Sequence, residues 1–140
     1  MSIIQGLIRR EENNTLSFGD YTLDKKTKIE DFEFEGNIYK IKTFQEVTKL
    51  KKNELLVYES EPGTVVHEFY KTSDLIKFRL EGLEDSQVTL ELEPEQTYEV
   101  VIDGNSIGDV KTNLGGKLMM SISLEPEKEA TVKIVKKVNA

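Results

Sequence analysis

The chain contains no cysteine and no tryptophan, only three prolines and a single histidine, His67. The lack of cysteine excludes disulfides, thiolate metal ligands and cysteine nucleophiles. His67, in "TVVHEFY", has no second imidazole with which to share a metal and no neighbouring serine to activate. It reads as an ordinary strand position. No apolar run approaches the roughly 20 residues that span a bilayer. The opening "MSIIQGLIRREE" has neither a preceding basic segment nor a small-residue cleavage site, so no secretory signal is expected. A cytoplasmic location is the default expectation, although a chain without cysteine is also compatible with export by a route that needs no cleaved signal.

What is present is charge, unevenly placed. Charged residues make up 32% of the chain and the net charge is −7. Between Glu81 and Val110 there are nine acidic residues and no lysine or arginine, whereas the first half carries "KLKK" with Lys49, Lys51 and Lys52. An acidic surface repels phosphate backbones, so no nucleic-acid partner is expected.

Apolar and polar residues alternate along most of the chain. In "VTLELE" Val88, Leu90 and Leu92 share one phase, in "KLMMSISL" Leu118, Met120, Ile122 and Leu124, and in "IKFRL" Ile76, Phe78 and Leu80. A period of two puts such residues on one face of a half-buried strand. Turn signals separate the runs: Gly36-Asn37, Lys52-Asn53, Pro62-Gly63, Asp103-Gly104 and Asn113 to Gly116. Only "SIIQGLIRREE" and "FQEVTKLKKN" fit a helix, both short. The expected fold class is all-β, an antiparallel immunoglobulin-like sandwich over residues 62–140 with a small additional β unit over residues 1–61. Pro62-Gly63, read as a type II turn, marks the boundary, and seven strand candidates follow it. Two segments there, "VTLELEPEQTYEVVI" and "MSISLEPEKEATVKIV", share the plan strand, Leu-Glu-Pro-Glu, strand, offset by 32 residues. Proline, lacking an N–H, stops ladder pairing at the same point in each.

"LEPEQTYEVVIDG", Leu92 to Gly104, resembles the strand–corner–strand segment of fibronectin type III and related immunoglobulin-like sandwiches, through Leu92, Pro94, Thr97 and Tyr98. The resemblance implies that the Tyr98 hydroxyl bonds back to the upstream backbone and locks the corner. Such corners occur under many unrelated functions. The whole chain is similar to short bacterial proteins with stretches like "SFGDYTL", "KTFQEVTKL", "VYESEPGTVV" and "TNLGGKL", some labelled endosialidase. Sialidases resemble six-bladed propellers with tryptophan-containing Asp boxes and an arginine trio for the sialic acid carboxylate. This chain has no tryptophan, 140 residues and only Arg9, Arg10 and Arg79, and the activity is not carried over.

No sequence motif supplies catalysis or a cofactor. "DGNSIGDVKTNL", from Asp103, has oxygen-bearing side chains at positions 1 and 3 of an EF-hand loop and glycine at 6. Ile107 and Leu114 stand where ligands at 5 and 12 are required. The stretch reads instead as two successive turns. "NLGGKL" lacks the Ser/Thr and helix of a phosphate loop. The expectation is a non-catalytic protein without cofactor or metal. If "VTLELE" and "TYEVVI" lie side by side, Glu91, Glu93 and Glu99 crowd one sheet face, with Asp103 nearby. Like charges across strands cost stability, so these acids and the basic Lys49, Lys51 and Lys52 are candidate interaction residues, with a second copy of the chain as the expected partner. The alternatives are another protein or a glycan, as for a carbohydrate-binding accessory module; a sialidase-related glycosidase ranks last.

Overall fold

The structure, a computed structural model, describes residue 4 and residues 6–137. Thirteen strands form it: β1 (Ile8–Arg10), β2 (Leu16–Phe18), β3 (Thr27–Phe34), β4 (Asn37–Phe44), β5 (Val47–Lys52), β6 (Leu55–Glu61), β7 (Val65–Lys71), β8 (Leu75–Glu81), β9 (Ser86–Glu91), β10 (Thr97–Ile102), β11 (Asn105–Lys111), β12 (Lys117–Ile122) and β13 (Ala130–Lys136). They build two antiparallel sheets, one ordered β1-β2-β7-β8-β13-β10-β11 and the other β12-β9-β6-β5-β4-β3. No helix occurs among the described residues, and none is long and apolar enough to cross a membrane.

The period-two pattern explains the layering. Across the six-stranded sheet Ile29, Ile41, Leu50, Tyr58, Leu90 and Leu118 stand opposite one another in one inward row. From the seven-stranded sheet Phe18, Phe69 and Phe78 pack on Tyr58, with ring centroids 5.4, 6.4 and 5.9 Å away, all edge-on. A single apolar core therefore joins both sheets, and its aromatic pairs sit at the spacing such rings prefer.

The strands before Pro62 extend both sheets rather than forming one of their own. β2 pairs with β7, and β6 pairs with β9. A three-residue β2 and a bulged β3 cannot bury an apolar face without the later strands to complete it. "FQEVTKLKKN", a possible helix by sequence, is the end of β4, a turn and β5. Thr48 and Leu50 are wholly buried there while Lys49 and Lys51 are only half-buried, the alternation a strand requires. The other possible helix includes residues 2, 3 and 5, which lie outside the described residues, and its described part contains β1.

Three hairpins turn on two residues with positive φ: Glu35-Gly36 (50° and 78°), Asn53-Glu54 (51° and 70°) and Asp103-Gly104 (51° and 80°). Both residues in the left-handed region define the type I′ turn that matches strand twist. Pro62-Gly63 is not the expected type II turn. The Glu61–Pro62 bond is cis, and the glycine is needed for close approach, since a Cβ there would lie 2.1 Å from the Phe44 carbonyl oxygen.

The repeated Leu-Glu-Pro-Glu segments are equivalent corners. One carries the chain from β9 to β10 and the other from β12 to β13, each time from the six-stranded to the seven-stranded sheet. Glu95 and Glu127, each just after its proline, have φ of 52° and 62°. β9 pairs antiparallel with β12, and β10 with β13, so the two copies run antiparallel to each other in both layers. At the first corner the Glu93 N–H donates to the Tyr98 hydroxyl at 3.4 Å.

Candidate functional site

Strand alternation turns lysines outward wherever Ile41 and Leu50 turn inward. On the outer face of the six-stranded sheet, Lys28 of β3 stands directly opposite Lys42 of β4, and Lys42 opposite Lys49 of β5. Side chains in such register have Cβ atoms about 5 Å apart, and like charges there repel. A second pair, Lys40 and Lys51, lies alongside. Carboxylates serve part of this set: Glu59 is 3.7 Å from Lys49, and Glu30 and Glu54 are 3.9 and 3.6 Å from Lys40. Among the described residues no carboxylate comes within ion-pair distance of Lys28 or Lys42. The Lys42 ammonium is held below the usual lysine range, first by desolvation and then by Lys26, Lys49 and Lys28.

Of the expected basic residues, Lys49 and Lys51 belong to this face. Lys52 points the other way, opposite Tyr39, into a cavity of about 810 Å³ at one end of the sandwich. Phe34, Tyr39, Val57 and Tyr98 line its apolar side. Lys71 reaches across from β7 and donates to the Glu91 carbonyl at 3.1 Å. Its ammonium lies below its ordinary pKa because of desolvation and then Lys52.

The expected acidic face is not there. β9 and β10 belong to different sheets, so Glu91 and Glu99 project from opposite faces of the sandwich. Glu93 sits in the corner between them and pairs with Lys136 at 3.1 Å. Asp103 serves its turn: its Oδ1 accepts the Thr131 N–H at 2.8 Å, and its own N–H donates to the Thr131 carbonyl at 2.8 Å. What the outer face of the seven-stranded sheet does carry is Glu99 directly opposite Asp109 of β11. Asp109 has Lys137 at 3.6 Å, and Glu99 accepts the Ser106 hydroxyl at 3.1 Å. The sequence does not show this pair, because a two-residue turn at Asp103-Gly104 by itself sets Glu99 opposite Gly108, and the register shift between Val100 and Val101 brings Asp109 there instead.

His67 is more than a plain strand residue. Although it stands on the outer face opposite Arg79, it is 5% exposed, and its Nε2 lies 2.6 Å from Glu81 Oε2, itself buried. Two residues before it on β7, Val65 packs with Ile4 and Tyr21 as a small second cluster.

Fold and surface together define an all-β, two-sheet sandwich with a lysine row on one outer face, in which Lys49 is paired and Lys28 and Lys42 are not, and a carboxylate pair on the other. Comparison with known proteins finds no matching family model, no matching curated protein and no matching solved structure.

Proposed function

We propose that the protein is a non-catalytic interaction protein that associates with copies of itself through complementary charge. The observation that carries this reading is the cross-strand row Lys28–Lys42–Lys49. A charged row that repels itself lowers stability, and an anionic partner offsets that cost. The Glu99–Asp109 pair offers the opposite sign on the opposite outer face. The core separates the two patches within one chain, so they meet only between copies. Such a contact is heterologous, and it builds rings or filaments according to whether its rotation closes. The Tyr98 corner supports the likeness to fibronectin type III sandwiches, a scaffold compatible with this use.

Sedimentation equilibrium over a concentration series tests the reading. The mass should exceed that of the monomer at low salt and fall to it in about 0.5 M salt, where the screening length drops well below 10 Å. Lys28→Glu with Lys42→Glu should leave a monomer, and mixing that variant with Glu99→Lys/Asp109→Lys protein should restore association. A monomer at every concentration in low salt overturns the proposal.

The cavity at the sandwich end favours a second reading, a carbohydrate-binding module. Tyr70, Asn13, Asn37 and Glu93 stand around it, aromatic, amide and carboxylate groups of the kind that hold sugars. A glycan array that gives no binder removes this reading and leaves the first untouched.

A further inference from the structure

The surroundings of His67 hold more negative charge than a buried hydrogen bond requires. Its Nε2 is 2.6 Å from Glu81 Oε2 and 3.9 Å from Glu129 Oε2. One imidazole nitrogen and one oxygen from each carboxylate all lie within 4.8 Å of one another. His67 and Glu81 are buried, whereas the Glu129 side chain is 37% exposed and guards the approach. Arg79 donates to both Glu129 oxygens at 3.3 Å and lies 3.6 Å from Glu68. Glu11 is close enough for the imidazole to act on it electrostatically, but it is paired with Arg9 at 3.1 Å. With the imidazole neutral, Glu68, Glu81 and Glu129 against Arg79 leave two negative charges without a counter-charge. A divalent ion cancels both.

We propose that His67, Glu81 and Glu129 form a binding site for a divalent transition-metal ion of the zinc class. One imidazole nitrogen and two carboxylates, with water as the fourth ligand, are the donor set and number such ions take. Metal–ligand bonds of about 2.0–2.1 Å in a tetrahedron put the ligand atoms about 3.3 Å apart. The observed 2.6 and 3.9 Å separations bracket that value, so side-chain rotations on the order of an ångström bring the three onto one ion. As the metal enters, the ring hydrogen passes by exchange with solvent from Nε2 to Nδ1, so the imidazole stays neutral, Nε2 ligates and no net proton is released. Arg79, released from Glu129, keeps Glu68. The neutral imidazole selects against magnesium and calcium, which prefer oxygen donors throughout. A lone histidine in sequence gives no hint of this, because its carboxylate partners lie 14 and 62 positions away along the chain.

The test uses the tag-free full chain, stripped with chelator and titrated with zinc chloride by calorimetry and with cobalt chloride by visible absorption. One equivalent should bind, and cobalt should give the intense visible bands of a four-coordinate site. Glu129→Gln, a change at a partly exposed side chain that leaves the core intact, should weaken binding at least tenfold and alter the bands. His67→Gln should abolish both, with circular dichroism confirming the fold. Arg79→Gln should tighten binding by freeing Glu129. Absence of heat and of bands, or affinities unchanged in Glu129→Gln and His67→Gln, overturns the proposal and leaves His67–Glu81 a buried hydrogen-bonded pair.

Discussion

Tyr98 closes the corner between the sheets by accepting the backbone N–H of Glu93 on its hydroxyl, five residues back along the chain. The ring is 1% exposed, within the core at the start of β10. Tyr98→Phe keeps the ring and removes the acceptor, so a loss of about 1 kcal/mol is expected. Tyr98→Ala removes the ring as well and should cost about 3–5 kcal/mol. Urea unfolding monitored by circular dichroism measures both, and equal losses would show that the hydroxyl contributes all of the effect.

The lysine row predicts a gain rather than a loss. Removing one charge from a row of like charges relieves repulsion, so Lys42→Gln should leave the monomer as stable as the parent or more so, by up to about 1 kcal/mol. The gain should shrink as salt is added, since screening already weakens the repulsion in the parent. Thermal unfolding of dilute protein at 20 mM and 500 mM salt separates this from a packing effect, which salt leaves unchanged.

Tyr58 predicts an alkaline limit. It is fully buried, and that burial holds its hydroxyl far above the ordinary tyrosine range, with hydrogen bonds to Thr64 and Ser60 opposing the shift in part. Its folded-state pKa is thus raised, so its contribution is fully present below the unfolded value of about 10 and is lost as pH rises beyond it. There the unfolded chain gives up a proton that the native protein keeps, and stability should fall by about 1.4 kcal/mol per pH unit for this residue. Tyr58→Phe should be less stable at pH 8 but show a correspondingly shallower fall between pH 10 and 11 in denaturant titrations.

Two glycines with nearly the same backbone should respond differently to alanine. Gly104 and Gly116 have φ of 80° and 82°, but a Cβ on Gly104 meets nothing within 4 Å, while one on Gly116 would lie 2.2 Å from the Leu92 carbonyl oxygen. Gly104→Ala bears only the cost of the left-handed conformation, about 1 kcal/mol. Gly116→Ala must in addition push the β9 corner away and should lose at least twice as much. Similar midpoints for the two variants would refute the close approach.

Much of the architecture is legible in the residues themselves. The alternation in "VTLELE", "IKFRL" and "KLMMSISL" names the buried face of β9, β8 and β12, because side-chain direction in a strand depends only on residue parity. The repeated Leu-Glu-Pro-Glu marks both corners, since a proline cannot donate to a ladder wherever it falls. Asp103-Gly104 and the loss of two calcium ligands after it are equally local facts. By contrast, "FQEVTKLKKN" has residues that suit either helix or strand, and β4 and β6 on either side decide for strand by offering a ladder.

The candidate sites lay beyond sequence reading for a related reason. Glu91 and Glu99 are only eight residues apart, but the corner between them changes sheets and sends them to opposite faces. Lys28, Lys42 and Lys49 are spread over 22 residues and become one row only when β3, β4 and β5 are in register. His67, Glu81 and Glu129 converge from two strands and a loop. The sequence by itself determined the period of the pattern, and with it the strands, their buried faces and the turns, because those follow from local geometry and from which side chains leave water. Only the tertiary structure decided which strands pair and in what register, because a ladder's hydrogen bonds are alike for every strand and the core chooses among the pairings by how its side chains fit.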